Sequence, residues 1–128
     1  AVYAANDGTA SGAIAALRAA DVSPFPIVTG QDAELTALQR IVSGDQYMTV
    51  YKAIREQATI AADVATELAA GERPTGDTTV DGIPSTLLTP VAVTVKDIAS
   101  TVVADGFWTV EDICTPPYAE ACAAAGLE

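Results

Sequence analysis

The first half of the chain alternates apolar runs with helical patterns, and this alternation strongly limits the folds available to it. Short apolar runs at residues 2–5, 26–29 and 47–51 are separated by helical patterns over 9–20 and 33–43. A strand–helix–strand–helix–strand order is typical of right-handed βαβ units, in which parallel strands are joined by crossover helices. The sequence therefore predicts an α/β fold with a parallel sheet in a three-layer αβα arrangement.

A polar side chain follows each of the three predicted strands. These residues are Asn6, Asp32 and Lys52. In open α/β sheets the ligand binds beyond the carboxyl ends of the strands. An amide, a carboxylate and an ammonium together supply acceptors and charged donors, which suits a neutral ligand rich in hydroxyl groups. Each residue also has a plainer interpretation, since Asn6 could start a helix, Asp32 could cap one and Lys52 could face water.

The second half is less regular. A long helix is expected over residues 54–70, followed by a polar loop and then a β-like segment at 85–93 that Pro90 interrupts. Because proline cannot donate to a central ladder, Pro90 marks an edge, a bend or a crossing. Thr94 and Asp97 have the spacing of a capping box, which predicts a helix over 95–104.

The net charge and the lack of histidine argue against several classes of protein. The formal net charge is -11, and the 128 residues include no histidine. Nucleic acid is a poor partner, because neutralising phosphates requires a basic patch. Zinc sites and histidine-based catalysis lose their usual residue. No metal site and no cofactor are predicted, and no apolar run approaches the roughly 18 residues of a membrane span.

The two cysteines are close in the sequence. Cys114 and Cys122 flank a turn-rich loop, so a local disulfide is plausible and would indicate an oxidising compartment. The alternative is a pair of free thiols. Trp108, a few residues earlier, is expected to pack over the last predicted helix, although its ring could also offer a flat face to a ligand.

Six stretches, taken in order and spacing, resemble the periplasmic sugar-binding proteins of ABC transporters. They are YAANDGTA (3–10), TGQDAEL (29–35), RIVSG (40–44), MTVYK (48–52), IPSTLLTP (83–90) and ADGF (104–107). The region after Trp108 lies outside the resemblance.

The resemblance implies the C-terminal portion of a two-lobe, type I periplasmic binding protein, in which a sugar is trapped between two α/β lobes. On this assignment residues 1–52 and 94–128 belong to the C-terminal lobe, and residues 53–93 belong to the incomplete other lobe. The chain begins inside a predicted strand, whereas termini usually lie at the surface, so an N-terminal portion is expected to be absent.

The function implied is that of the substrate-binding component of an ABC sugar importer, which performs no chemistry. Its ligand would be a monosaccharide, xylose or a similar aldose, contacted by Asn6, Asp32 and Lys52. Its partner would be a membrane permease, and its location periplasmic or extracellular, held at the membrane by the transporter or by an absent N-terminal anchor. Ala53 departs from the proline that the resemblance leads us to expect after the lysine, which affects the local hinge.

Three alternatives remain open from the sequence. The effector-binding domain of a LacI-type transcription regulator has the same two-lobe fold, but a disulfide and the acidic charge oppose it. A sugar-phosphate enzyme would need a phosphate-binding glycine loop or a general base pair, and neither is found. A sensor that docks on a receptor cannot be separated from a transport protein. Without its native platform, the helix at Ile54–Ala70 is also expected to repack or to mediate a homodimer of this chain.

Overall fold

The three predicted strands form one parallel ladder. In the computed structural model, which describes residues 1–127, β1 (Val2–Tyr3) pairs in parallel with β2 (Val28–Thr29). A parallel bridge from the end of β2 to Met48 then joins the ladder to β3 (Thr49–Tyr51). This confirms the βαβ order predicted from the sequence.

The first crossover helix packs on the strands it connects. Helix α1 (Asp7–Ala19) contacts β1 and β2, and its residues Ala10 and Ile14 are buried against Val28. Apolar positions three to four residues apart lie on one helix face, so these two residues belong to the side that meets the sheet. The predicted helix starts two residues too late, because Asn6 and not a later residue is the N-cap.

The second crossover helix ends as the sequence predicts. Helix α2 (Leu35–Ser43) buries Leu38 and Ile41 and stops at Gly44, whose φ is 83°. Glycine takes this left-handed conformation without the steric cost of a Cβ, which is why it so often ends helices.

The long helix lies in a second compact unit. Helix α3 (Ile54–Ala69) has no buried residue within the described chain, and two residues of its apolar stripe, Ile54 and Leu68, are 50% and 58% exposed. A two-stranded antiparallel hairpin of β4 (Thr78–Val80) and β5 (Ile83–Ser85) follows.

The hairpin corrects the expectation of a plain loop over residues 72–82. Its turn is Asp81–Gly82, and both residues have positive φ, at 50° and 80°. An Asp-Gly pair with this geometry is a preferred two-residue hairpin turn, because its twist matches that of the flanking strands.

The last strand corrects the expectation of a purely parallel sheet. Strand β6 (Val91–Val93) pairs antiparallel with β3. The helix predicted over residues 95–104 is instead a turn followed by a π-helical segment, Ala99–Val103. Thr101 and its two successors are β-branched, which disfavours a regular α-helix.

Two short helices form the C-terminal tail, α4 (Val110–Ile113) and α5 (Ala119–Ala124). The sequence did not predict either of them. Cys114 and Cys122 are joined by a disulfide, with their Cα atoms 5.8 Å apart. Both helices contact α2, so the tail covers the outer side of that helix.

Two carboxylates close turns in this region. Asp97 accepts hydrogen bonds from the hydroxyl and the amide of Thr94, at 2.6 and 3.0 Å, and Asp112 accepts from the amide and the hydroxyl of Thr109, at 3.1 and 2.8 Å. These bonds favour the charged carboxylate, so they lower the pKa of Asp97 and of Asp112 below the ordinary value.

The chain divides into two compact units. The first comprises Ala1–Tyr51 together with the stretch from Val91 onward, and the second is Lys52–Pro90. The chain leaves the first unit after β3 and returns to it at β6. Their assignment to two lobes of a larger protein is taken up under the proposed function.

Candidate functional site

Asn6 follows β1 and caps the first helix. Its Oδ1 accepts hydrogen bonds from the amide of Thr9 at 2.9 Å and from the Thr9 hydroxyl at 2.7 Å. The helix-start interpretation is therefore correct for the side-chain oxygen, since Asn6 is the N-cap of α1. The side-chain NH₂ of Asn6 donates to no residue in 1–127, which leaves both of its protons for a ligand.

Asp32 follows β2 in a strained backbone conformation. Its φ is 100°, and that of the next residue, Ala33, is 51°. Left-handed conformations cost non-glycine residues about 1–3 kcal/mol each and persist where the surroundings fix them, often at functional sites. Asp32 is not the cap of α2, because that position belongs to Glu34.

Hydrogen bonds fix the backbone on each side of this strained pair. The amide of Asp32 donates to the Val50 carbonyl at 2.9 Å, and the amide of Ala33 donates to the Thr49 hydroxyl at 3.1 Å. From the other side, the indole Nε1 of Trp108 donates to the Ala33 carbonyl at 2.9 Å. The conformation of the turn is thus determined by strand β3 and by the segment after the π-helix.

The Asn6 and Asp32 turns are joined to each other. The amide of Asp7 donates to the Gln31 carbonyl at 2.8 Å, which brings the residues after β1 and β2 to one edge of the sheet. The structure therefore places two of the three predicted site residues on neighbouring turns.

Asp7 is the buried centre of this edge, with a relative exposure of 0%. Its Oδ2 accepts from the Glu34 amide at 3.0 Å and from the Thr49 hydroxyl at 2.8 Å, while its Oδ1 accepts from Gln46 Nε2 at 2.8 Å. A buried carboxylate is tolerated when its lone pairs are satisfied in this way. Asp7 also lies in the first turn of α1, where the helix dipole favours a negative charge.

Arg40 and Gly30 complete the surroundings of Asp7. The Arg40 guanidinium donates to Gln46 Oε1 at 3.1 Å and to the Asp7 carbonyl at 3.2 Å. A Cβ at Gly30 would collide with Asp7 Oδ1 and lie 2.8 Å from Gln46 Nε2, so only glycine fits here. The sequence analysis missed Arg40, Gln46 and Thr49 as supporting residues, because no local pattern in the sequence distinguishes them.

Lys52 comes directly after β3, as the first residue of the second unit, and is half-buried. Ala53, in the position where a proline was expected, is the N-cap of α3, with φ -69°. That φ is one a proline also adopts, so the substitution does not force a different φ at this point of the crossing.

Trp108 makes a contact that the sequence did not predict. Its indole lies against the backbone beside Asp32, although the two residues are far apart in the sequence, and its ring packs edge-on to Phe107 at 5.6 Å between centroids. Phe107 in turn packs on Tyr51 at 5.3 Å. Three aromatic side chains thus line up between β3 and the Asp32 turn.

A cavity of about 540 Å³ opens at the other end of the strands. Residues at the starts of β2 and β3 line it, among them Ile27 and Tyr47, and neither Asn6 nor Asp32 does. Ligands of open α/β sheets bind at the carboxyl ends of the strands, so we assign the site to the opposite edge. Residues 1–127 contain no cluster of side chains suited to hold a metal ion and no helix able to cross a membrane.

A parallel sheet with polar turns converging at its carboxyl edge defines a ligand-binding α/β lobe. Comparison with known families gives the particular one: residues 1–73 match the periplasmic binding protein domain, and the chain belongs to that family.

Individual relatives agree with this assignment. The chain is 48% identical over 111 residues to the D-xylose-binding periplasmic protein of Escherichia coli, covering 84% of this chain and 34% of that protein. It is 45% identical over 117 residues to the D-xylose-binding periplasmic protein of Haemophilus influenzae, covering 88% and 35%. A carbohydrate transporter solute-binding protein from Chloroflexus aurantiacus, solved with D-glucose, superposes with a TM-score of 0.78 at 32% identity, covering 86% and 34%.

The chain thus spans about a third of the length of these relatives. The two curated relatives are periplasmic sugar-binding proteins and the solved structure is a carbohydrate transporter solute-binding protein, so the LacI-type regulator is not favoured, and the resemblance noted in the sequence is confirmed.

Proposed function

We propose that this chain is the C-terminal part of the substrate-binding component of an ABC sugar importer. The observation that carries the proposal is the edge formed by the Asn6 and Asp32 turns, which a hydrogen bond from the Asp7 amide to the Gln31 carbonyl joins and in which the Asp32 backbone is held in a strained conformation. Relatives named for D-xylose and a neighbour solved with D-glucose support a monosaccharide ligand.

Each proposed ligand residue has a defined chemical task. The Asp32 carboxylate accepts hydrogen bonds from sugar hydroxyls, and bonds to a charged acceptor are the stronger kind. The Asn6 NH₂ donates to a hydroxyl or ring oxygen while its oxygen remains engaged with Thr9. Lys52, which follows β3, donates to a ring or hydroxyl oxygen of the sugar. No bond is made or broken, so the protein acts as a binding protein and not as an enzyme.

The two compact units are proposed to belong to two lobes, the first to the C-terminal lobe and Lys52–Pro90 to the other. A sugar enclosed by both lobes needs residues beyond this chain, so the chain alone holds half a site. The proposed partner is a membrane permease, which recognises the sugar-loaded protein.

The proposed location is outside the cytoplasm, at the membrane through the transporter or a separate anchor. The Cys114–Cys122 disulfide supports it, because disulfides persist in oxidising compartments. The exposed stripe on α3 supports a homodimer when this chain is produced by itself.

Isothermal titration tests the proposal. The complete two-lobed protein and the 128-residue chain are each titrated with D-xylose, D-glucose, D-galactose and L-arabinose. Binding by the complete protein and none by the chain is expected. A folded complete protein that releases no heat with any of the four sugars would contradict the sugar-binding function.

A matched pair of variants tests the site. Asp32→Asn removes the charge that we assign to the sugar and should weaken binding about tenfold or more, as expected for a lost charge-assisted hydrogen bond. Asp21→Asn is the control, since Asp21 also has a positive φ, of 49°, but is exposed at the far end of α1. Equal affinity of Asp32→Asn and the unmodified protein would remove Asp32 from the site.

A further inference from the structure

The indole hydrogen bond of Trp108 has a specific target. Its acceptor is the carbonyl of Ala33, which is the second residue of the strained pair, and the bond is 2.9 Å long. The Ala33 amide is held from the sheet side by the Thr49 hydroxyl, and the next amide, of Glu34, is held by the Asp7 carboxylate at 3.0 Å. Trp108 therefore contacts this turn from outside the first βαβαβ portion of the chain.

Two adjacent left-handed residues without glycine do not hold their geometry unaided. Both relax toward ordinary φ values unless neighbouring groups oppose it, at a strain of about 1–3 kcal/mol each. The peptide between Ala33 and Glu34 is planar, so its carbonyl and its amide rotate together. Asp7 holds the amide end of this peptide and Trp108 holds the carbonyl end, so the Trp108 bond adds a second restraint against rotation of the turn that carries Asp32.

The location of Trp108 makes this restraint dependent on the tail. Its ring packs on Phe107, and Phe107 packs on Tyr51 at the end of β3. The backbone amides of Phe107 and Trp108 donate to the Val102 carbonyl at 2.9 and 3.3 Å. The indole is thus anchored by the π-helical segment and by the aromatic cluster, and it is half-buried.

We propose that Trp108 is a positioning residue for sugar binding. Its indole N–H holds the Ala33 carbonyl, and this keeps the strained backbone turn, and with it the Asp32 carboxylate, in the orientation that the sugar requires. This inference rests on the proposed function. It gives Trp108 a role through Asp32, distinct from the stacking of a sugar on the indole face and from general packing of the tail.

A double-mutant cycle in the complete two-lobed protein tests it. Trp108→Phe keeps an aromatic ring and removes the N–H donor. Loss of one such hydrogen bond is expected to weaken sugar binding about three- to tenfold. In the Asp32→Asn background the same change is expected to have less than about a twofold effect, since residues that act through one another are not additive.

Three outcomes of the cycle would overturn the inference. An equal loss of affinity from Trp108→Phe in both backgrounds means that the ring contacts the sugar directly. Unchanged affinity in the Asp32-containing protein means that the hydrogen bond does not position Asp32. If Asp32→Asn alone binds sugar as tightly as the unmodified protein, the proposed role of Asp32 fails first, and the inference fails with it.

A measurement without sugar keeps the inference testable if no ligand is found. Amide hydrogen exchange at Ala33 and Glu34 is expected to be faster in Trp108→Phe than in the unmodified protein, while exchange in α1 stays the same. Unchanged exchange at both amides would overturn the restraint itself.

The control is Thr109→Ala. Thr109 caps α4 by accepting from the Asp112 amide at 3.1 Å, so its loss destabilises the tail without touching Ala33. This variant is expected to lower the melting temperature and to leave the dissociation constant unchanged. A loss of sugar affinity in Thr109→Ala equal to that in Trp108→Phe would favour general packing of the tail and contradict a positioning role.

Discussion

Replacement of Asp7 by alanine should be the most damaging change at the site edge that leaves the proposed ligand residues in place. The variant removes the acceptor of three hydrogen bonds, from the Glu34 amide, the Thr49 hydroxyl and Gln46 Nε2. Gln46 keeps a second acceptor, the Met48 carbonyl at 3.1 Å, so two donors lose a partner: the Thr49 hydroxyl, which is buried, and the Glu34 amide, which is part-buried.

The magnitude follows from these two donors. A buried donor left without a partner costs about 1–3 kcal/mol and a part-buried donor costs less, so Asp7→Ala should lower the free energy of unfolding by about 1–5 kcal/mol. Domains of this size are stable by about 5–15 kcal/mol in total, so the loss is a measurable fraction of the stability and at its upper end unfolds a marginally stable protein.

The isosteric variant Asp7→Asn should not be neutral. An amide has one oxygen, and satisfying Thr49 and Glu34 with it would point the NH₂ group at Gln46 Nε2. Rotating the Gln46 amide to compensate would turn its NH₂ group toward the Arg40 guanidinium, which now donates to Gln46 Oε1 at 3.1 Å. A loss of about 1.5–3 kcal/mol is expected, as for a hydrogen bond to a charged group.

Urea unfolding followed by circular dichroism measures both variants. Asp105→Ala is the control, because it removes the same charge from an exposed position. A change of less than about 0.5 kcal/mol for Asp7→Ala, the range of ordinary surface substitutions, would refute the reasoning.

Three further predictions concern other parts of the chain. Hydrogen bonds lower the folded-state pKa of Asp97 and Asp112 below 3.8, so their contribution to stability is complete above that value and is lost as the pH falls below it. Urea unfolding between pH 7 and pH 2.5 checks this. In Thr109→Ala, the pH dependence of the unfolding free energy that is due to Asp112 should be smaller. Reduction of the disulfide, which joins residues eight apart, should lower the free energy of unfolding by about 2.5 kcal/mol in the chain-entropy model. Thermal unfolding with and without reductant measures this, and an unchanged melting temperature would contradict it. Light scattering should find the 128-residue chain dimeric and the variant Leu68→Glu monomeric, whereas a monomeric unmodified chain would remove α3 as the interface.

The first half of the fold could be predicted because its signals are local. Apolar runs with helical spacing between them define β1 to β3 and both crossover helices, and Gly44 marks a helix end by its freedom to adopt positive φ. The second half depends on contacts that spacing does not encode. Residues 99–103 combine the periodicity of a helix with β-branched side chains, and the backbone settles as a π-helical segment in which Val102 is buried.

The candidate site shows the same division. Asn6 and Asp32 could be selected because each follows an apolar strand, and the rule that ligands bind at carboxyl edges then makes them neighbours. The residues that hold these two turns in place could not be selected from the sequence. Arg40 and Gln46 are ordinary polar residues in the sequence, and only the fold brings them around Asp7. Trp108 is separated from Ala33 by 75 residues, so its hydrogen bond has no signature in the local pattern.

These supporting contacts explain why a strained turn can occupy a binding edge. A turn with ordinary dihedral angles would need fewer hydrogen bonds from the rest of the unit to keep its shape, but the Asp32 carboxylate would then point in another direction. Here the orientation is set by groups from β3, from α1 and from the segment after the π-helix, which meet only when the first unit is fully folded. Strain at Asp32 therefore links the geometry of the proposed ligand group to the integrity of the whole unit, and substitutions at Thr49, Asp7 or Trp108 should alter sugar binding without any of these residues having to contact the sugar.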